Sequence, residues 1–404
     1  MFSEGGDGVT IEYMQAEMPR LGKLSIRRAV PVITGQDGTE GLVREYCRRQ
    51  WSKPRLSRHE TPLVASRDER SCHLDGEVVR RLVVTLRPAG CGWGSKGGGC
   101  IMCGHYLASS GQMLDSHDLL SQWPRVIQEL EEGQIPVLCV YNGGNILNPD
   151  EVDFNALIDL CRRLSAKPFF RRLVLESRPE YTQPHLIQAL LDNLAPSQSI
   201  MLGVGIESAN DAIRHLCLNK GLSWSDFKSV PHNSRCLQRF YCFFGAPFLT
   251  EAEMLTDTFD SILRFRQEQA DDIHVESATI QRGTLLNRLW RNDSYDLPNL
   301  WSLVFLLRAL PAGLFPYVSP FQHFPMPYKM PTTCGRCESS VVAAFDAYNR
   351  QQDPSCFDSL ACPCLDSWAL LLQETDPRPL EERIAATLGE ANCALMPAAA
   401  LASA

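Results

Sequence analysis

From about residue 80 the chain alternates short apolar runs with longer amphipathic segments, the pattern that strand-helix units around a parallel sheet require. Six runs stand out, at 82–86, 137–141, 173–176, 201–207, 240–244 and 273–280. They predict an α/β fold, a partial six-unit barrel with strands lining the centre and helices outside. Between the second and third runs, Phe154, Leu157, Ile158 and Cys161 recur at helical spacing, which puts Cys161 in the core. Asn148, Pro149, Asp150 and Glu151 come just before them and read as the cap and first turn of that helix. Thr250 and Glu253 form a capping box ahead of Leu255, Phe259, Ile262 and Leu263.

Past residue 311 the periodicity gives way to the proline-rich text "PAGLFPYVSPFQHFPMPYKMP", and the closing "ALMPAAALASA" is of low complexity. These breaks divide the chain into an N-terminal extension at 1–78, a barrel at 79–310, a cysteine-rich unit at 311–380, and a helix with a loose tail at 381–404.

With 44% hydrophobic and 21% charged residues in 404, the chain reads as an ordinary globular protein. No apolar run reaches the roughly 18 residues of a membrane span, and no secretory start is visible, so a cytoplasmic protein without a membrane role is expected. In that reducing setting sixteen cysteines point to metal binding or chemistry rather than to disulfides. The net charge of −8 excludes a general attraction to nucleic acid. Arg44, Arg48, Arg49, Lys53, Arg55, Arg58 and Arg67 make one basic stretch around Trp51, read as a solvated helix and loop.

The segment "GCGWGSKGGGCIMCGHY" sets Cys91, Cys100 and Cys103 in a glycine-rich loop directly after the first apolar run. A structural zinc ion needs four protein ligands, and His105, two residues after Cys103, would crowd the loop as the fourth. Three thiolates match a [4Fe-4S] cluster with one open iron, at the C-terminal mouth where barrel enzymes keep their chemistry. A second group pairs Cys334 with Cys337 and Cys362 with Cys364, two close pairs that suit a tetrahedral zinc ion, with a second iron-sulfur cluster as the competitor. Cys47, Cys72, Cys139, Cys217, Cys236, Cys242 and Cys393 stand alone and are expected to be buried as small apolar side chains.

The order of strand, three-cysteine loop and partial barrel resembles the radical S-adenosylmethionine superfamily. The spacing C-x8-C-x2-C departs from the superfamily's commonest C-x3-C-x2-C and is similar to the branch holding the Elongator catalytic subunit and, more closely, the archaeosine-synthase radical subunit. "VYNGGNILNPDEV", "LESRPEY", "GVGIESANDAIR", "APFLTEAE" and "IQRGTLLNRLW" continue the likeness, and "NGGN" and "FGAPF" depart from it. The resemblance implies S-adenosylmethionine as cofactor on the open iron. It implies backbone groups of Gly143 and Gly144 at the methionine ammonium, Arg178 at the carboxylate, and Glu176 and Glu207 as catalytic carboxylates. On this reading a Cβ at Gly144 would crowd the cofactor and leave the cluster untouched.

The resemblance also implies a substrate, a 7-deazaguanine base in tRNA bearing a lysine adduct that is cleaved at a carbon-nitrogen bond. It implies an electron donor such as flavodoxin or ferredoxin and a partner enzyme that supplies the substrate. A small metabolite or peptide as substrate, and a non-catalytic metal-binding scaffold, remain the alternatives.

Overall fold

The computed structural model describes residues 12–36, 38–51, 64–86, 90–105, 109 and 116–393. A two-stranded hairpin, β1 (Tyr13–Met18) and β2 (Gly22–Arg27), precedes the main sheet. The main sheet starts with a second hairpin, β3 (Val64–Leu74) and β4 (Glu77–Leu86), joined through Asp75 and Gly76. Both turn residues take positive φ, 51° and 84°, as a two-residue hairpin turn demands.

From β4 the sheet runs parallel through β5 (Val137–Tyr141), β6 (Arg172–Glu176), β7 (Ser199–Glu207), β8 (Cys236–Phe244), β9 (Asp272–Ser277) and β10 (Tyr317–Val318). The result is an eight-stranded, curled half-barrel of α/β type, as the apolar pattern predicts, with the six expected runs falling on β4 to β9. The last run stops at Ser277 rather than residue 280, because Ile280 leaves the sheet to bridge Lys329. Side chains alternate across the sheet: Leu82, Val84 and Leu86 face the helices, while Val83 joins Cys139, Val174 and Met201 in a smaller cluster inside the curl.

One helix start differs from expectation. The helix Phe154–Ser165 is capped by Asp153, whose carboxylate accepts the Asn155 amide at 2.9 Å, and Asn148 to Glu151 form a separate turn before it. Cys161 is buried, as are Cys47, Cys72, Cys139, Cys217, Cys236 and Cys242; the side chain of Cys393 lies outside the described residues. So do Lys53, Arg55 and Arg58 of the basic stretch, and the tail from 394. No helix among the described residues is long and apolar enough to cross a membrane.

The capping box of the helix Glu251–Gln267 forms as the sequence indicates, yet the helix is covered almost all round. Ala29, just after β2, donates its amide to Thr256 Oγ1 at 2.9 Å. Ser302, on the helix Leu300–Ala309, donates to Glu251 at 2.5 Å. Arg383, on the helix Leu380–Cys393, meets Glu253 at 2.7 and 3.1 Å. Removal from water drives both Glu251 and Asp257 up to about 7. The cysteine-rich segment packs into the same core, with Val341, Phe345, Leu365 and Trp368 beside barrel residues.

Arg383→Ala strands the Glu253 carboxylate and is expected to cost about 3–5 kcal/mol in urea unfolding. Thr250→Ala removes only a cap and should cost about 1 kcal/mol.

Candidate functional site

A cavity of about 360 Å3 opens at the C-terminal ends of the parallel strands. Cys91, Cys100 and Cys103 line it, delivered by the loop that follows β4. Cys91 caps the short helix Gly92–Gly97, and the Cys103 amide closes a turn on the Cys100 carbonyl at 3.2 Å. Burial, reinforced by Cys100, pushes the Cys103 thiol up to about 12, and burial with Glu151 nearby raises Cys91.

Two clamps hold this loop. On one side the buried Glu151 carboxylate accepts the Gly92 amide at 3.0 Å, the Asn145 amide at 2.5 Å, and the side-chain amides of Asn145 and Asn148, each at 2.8 Å. Asn145 also points its amide at Cys91 Sγ from 3.7 Å and accepts the Arg178 amide at 3.1 Å. On the other side buried Asn219 donates to the Gly97 and Gly99 carbonyls at 3.0 and 2.7 Å, and its own carbonyl accepts Trp93 Nε1 at 2.8 Å. The Trp93 ring lies where a Cβ on Gly221, at φ +62°, would sit.

Gly143 and Gly144 also line the cavity, beside the cysteine loop, and Gly143 takes φ +62°. A Cβ on Gly143 would strike His105; one on Gly144 would strike Glu151 Oε2 and the Gly90 carbonyl. Gly144 is therefore pressed against the cysteine loop itself, and the expectation that a side chain there spares the cluster loop does not hold. Arg178 lines the cavity too, with its guanidinium engaged by Glu180 at 2.6 Å, the Lys220 and Gly221 carbonyls at 2.9 and 3.4 Å, and the Trp93 face at 5.1 Å. His105 is half-buried, and loss of hydration together with nearby His323 lowers it to about 4, so its ring is neutral.

The remaining wall carries carboxylates. Glu176, at the end of β6, is raised to about 7 by burial, against the opposing pull of the Tyr241 hydroxyl that donates to it. Glu207 sits where the β7 register shifts, in a left-handed conformation of φ +70° that a non-glycine residue adopts at a cost of about 1 kcal/mol or more. Lys220 Nζ meets its carboxylate at 2.7 Å. Burial works against the Lys220 ammonium, but Glu207 and Cys100 outweigh it and raise its pKa. Beneath the wall, Arg239 pairs with Asp272 at 2.7 Å, and Arg81 stacks on Tyr317 at 4.6 Å.

All the expected barrel residues thus line one cavity. Glu151, Asn219, Lys220 and Tyr241 were not found from sequence. A buried acid at the end of a strand, such as Glu207, calls for a cation, and "NKG" at 219–221 was the available signal.

Cys334, Cys337, Cys362 and Cys364 converge outside this cavity, with sulfur separations of 3.8, 3.6 and 3.7 Å and all four within 4.8 Å of one another. A tetrahedral ion with bonds of about 2.3 Å sets its ligands about 3.8 Å apart, so the group matches a single ion. Trp301 donates its indole N–H to Cys364 Sγ at 3.2 Å. Among the described residues no other group of three metal-ligating side chains closes so tightly. Cys91, Cys100 and Cys103 do not close into such a group.

The chain is 26% identical over 309 residues to archaeosine synthase subunit beta of Methanosarcina acetivorans, a match spanning 75% of this chain and 88% of that protein. It is 24% identical over 236 residues to the Thermococcus kodakarensis protein of the same name, across 57% and 72% of the two chains. Among solved structures, Elp3 of Methanocaldococcus infernus aligns with a TM-score of 0.43 at 15% identity, over 58% of this chain and 59% of that one. No family model matches. The similarity to the archaeosine-synthase subunit inferred from the motifs is borne out by these relatives.

Glu151→Gln leaves a carboxamide facing four N–H donors, and a net loss of about 2–3 kcal/mol is expected in chemical denaturation. Gly144→Val is expected to push the cysteine loop away from Glu151 and to lower the thermal midpoint by several degrees; an unchanged midpoint would contradict the packing described.

Glu176 is raised from an ordinary 4.5 to about 7. The stability it contributes is complete below about pH 4.5 and is lost as pH rises through about 7. Tyr241→Phe removes a donor to the charged form, so the midpoint should move higher still. Infrared titration of the carboxyl band, with Glu176→Gln as the assignment control, reads both values; a parent midpoint near 4.5 would refute the assignment.

Proposed function

We propose that this chain is a radical S-adenosylmethionine enzyme that cleaves a carbon-nitrogen bond in the side chain of a 7-deazaguanine nucleoside in transfer RNA. The observation that carries this reading is the convergence of Cys91, Cys100 and Cys103 on one cavity at the mouth of the barrel, in a chain similar to archaeosine synthase subunit beta. The donor set fits the cofactor: three thiols that do not close into a single-ion group line one cavity together with Gly143 and Gly144. Cys91, Cys100 and Cys103 would hold a [4Fe-4S] cluster. With S-adenosylmethionine bound, that pair supplies a 5′-deoxyadenosyl radical able to remove a hydrogen atom from substrate.

The chain's own residues bind, orient and handle protons. Gly143 and Gly144 offer backbone groups to the methionine ammonium, and Arg178, braced in place, directs positive charge toward the carboxylate. Glu176, near 7, exchanges a proton at neutral pH, which suits it to serve the nitrogen released on bond cleavage. Glu207, paired with Lys220, orients hydroxyl groups of cofactor or substrate. Cys334, Cys337, Cys362 and Cys364 would hold zinc, fastening residues 311–380 to the barrel at 79–310. A flavodoxin or ferredoxin supplies the electron, and a partner enzyme attaches the side chain that this protein cleaves.

Anaerobically reconstituted protein is expected to hold about four irons and about one zinc per chain. Replacing Cys91, Cys100 and Cys103 with Ala should remove the iron, spare the zinc and abolish 5′-deoxyadenosine formation under reductant. Cys334→Ser with Cys337→Ser should remove the zinc and lower the thermal midpoint. Transfer RNA bearing the lysine adduct should give an amidine-bearing base. Iron-loaded protein that forms no 5′-deoxyadenosine would end this reading.

A further inference from the structure

The outer rim of the cavity carries a basic, aromatic surface on a chain whose net charge is −8. Gln281 lines the cavity and binds the Gly104 amide at 2.6 Å, and the next residue, Arg282, is exposed. His323 and Phe324 line the cavity from a strap that follows β10. Further along it Tyr328, 46% exposed, is tied back by its amide to the Ile280 carbonyl at 2.6 Å. Arg282 and Arg291 lie over the Tyr328 ring at 5.3 and 5.9 Å, and Trp290 meets its edge at 5.7 Å.

The surface continues along the helix Leu285–Arg291 to the cysteine loop. Arg288, one turn before Arg291, lies over Tyr46 at 5.7 Å, and Arg48 reaches the Lys96 carbonyl at 3.1 Å. Arg44 and Arg49 are paired with Glu40 and Glu45. Among the described residues Arg48, Lys96, Arg282, Arg291 and Lys329 have no carboxylate partner. The chain thus leaves five cations without a carboxylate partner on or beside the helix Leu285–Arg291, the strap after β10 and the cysteine loop.

We propose that this rim is a docking surface for the phosphate backbone of a structured RNA. It rests on the reading of the cavity as a site for a nucleoside within RNA. Arginine forks match phosphate oxygens bidentately, and the exposed Tyr328 between Arg282 and Arg291 offers one ring on which a base can rest. An acidic polypeptide would use the charges but not the interleaved rings. A single nucleoside enters the cavity, and the flanking backbone then has to cross this rim.

The test uses full-length protein and fluorescently labelled, unmodified transfer RNA, with anisotropy followed across a salt series. The parent should bind with an affinity that falls steeply with salt. Arg282→Glu, Arg291→Glu and Lys329→Glu together should weaken binding on the order of 10-fold or more at low salt, and make the log-log salt slope shallower by about 2–3. Iron content and RNA-independent 5′-deoxyadenosine formation should match the parent. Equal affinity and slope in the triple variant would overturn the proposal, as would a parent that binds no RNA at low salt. Equal competition by polyglutamate at matched charge would assign the rim to acidic protein instead. If RNA binding depends on the rim while neither protein forms 5′-deoxyadenosine, the reading of the cavity fails and the rim stands.

Discussion

One buried carboxylate organises the mouth of this barrel. Glu151 gathers four N–H donors from two segments, one after β4 and one after β5, and so fixes the cysteine loop against the Gly143–Gly144 turn. A buried charge is tolerable only when its hydrogen-bonding capacity is filled, and here filling it aligns two loops that the sheet alone leaves free. Asn219 does the complementary work from the far side with a neutral amide. Between these two anchors the thiols have little freedom to drift.

The strands were legible because parallel strands buried on both faces read as nearly unbroken apolar runs. β3 was not, since an edge strand with "SRDERSCH" carries polar residues on both faces, although Asp75 and Gly76 marked its turn. The cysteines declared themselves by spacing. Glu151 was misread because local helix logic gave it a nearby role, whereas its partner Gly92 is 59 residues away. Lys220 was missed for the same reason: its pairing with Glu207 exists only once β7 and the turn after it fold together.

The cavity and its rim differ in the way they handle charge. Inside, low polarity raises Glu176 and makes Lys220 dependent on Glu207, so each ionisable group is tuned by very few neighbours. Outside, arginines face water and aromatic rings, where attraction is long-ranged and sensitive to salt.

The two ends of the described chain are sewn together. Thr34 and Gly35 donate to Glu381 at 2.9 and 2.7 Å, Tyr46 donates to the Leu388 carbonyl at 2.7 Å, and Arg20 meets Asp366 at 2.9 Å. Contacts 342 to 347 residues apart form only after the helix Leu380–Cys393 has left the ribosome. During synthesis the cysteine loop, finished early, waits beside a half-built wall with its thiols open to the surroundings. The nascent chain therefore keeps these thiols exposed until the helix Leu380–Cys393 closes over residues 34–46.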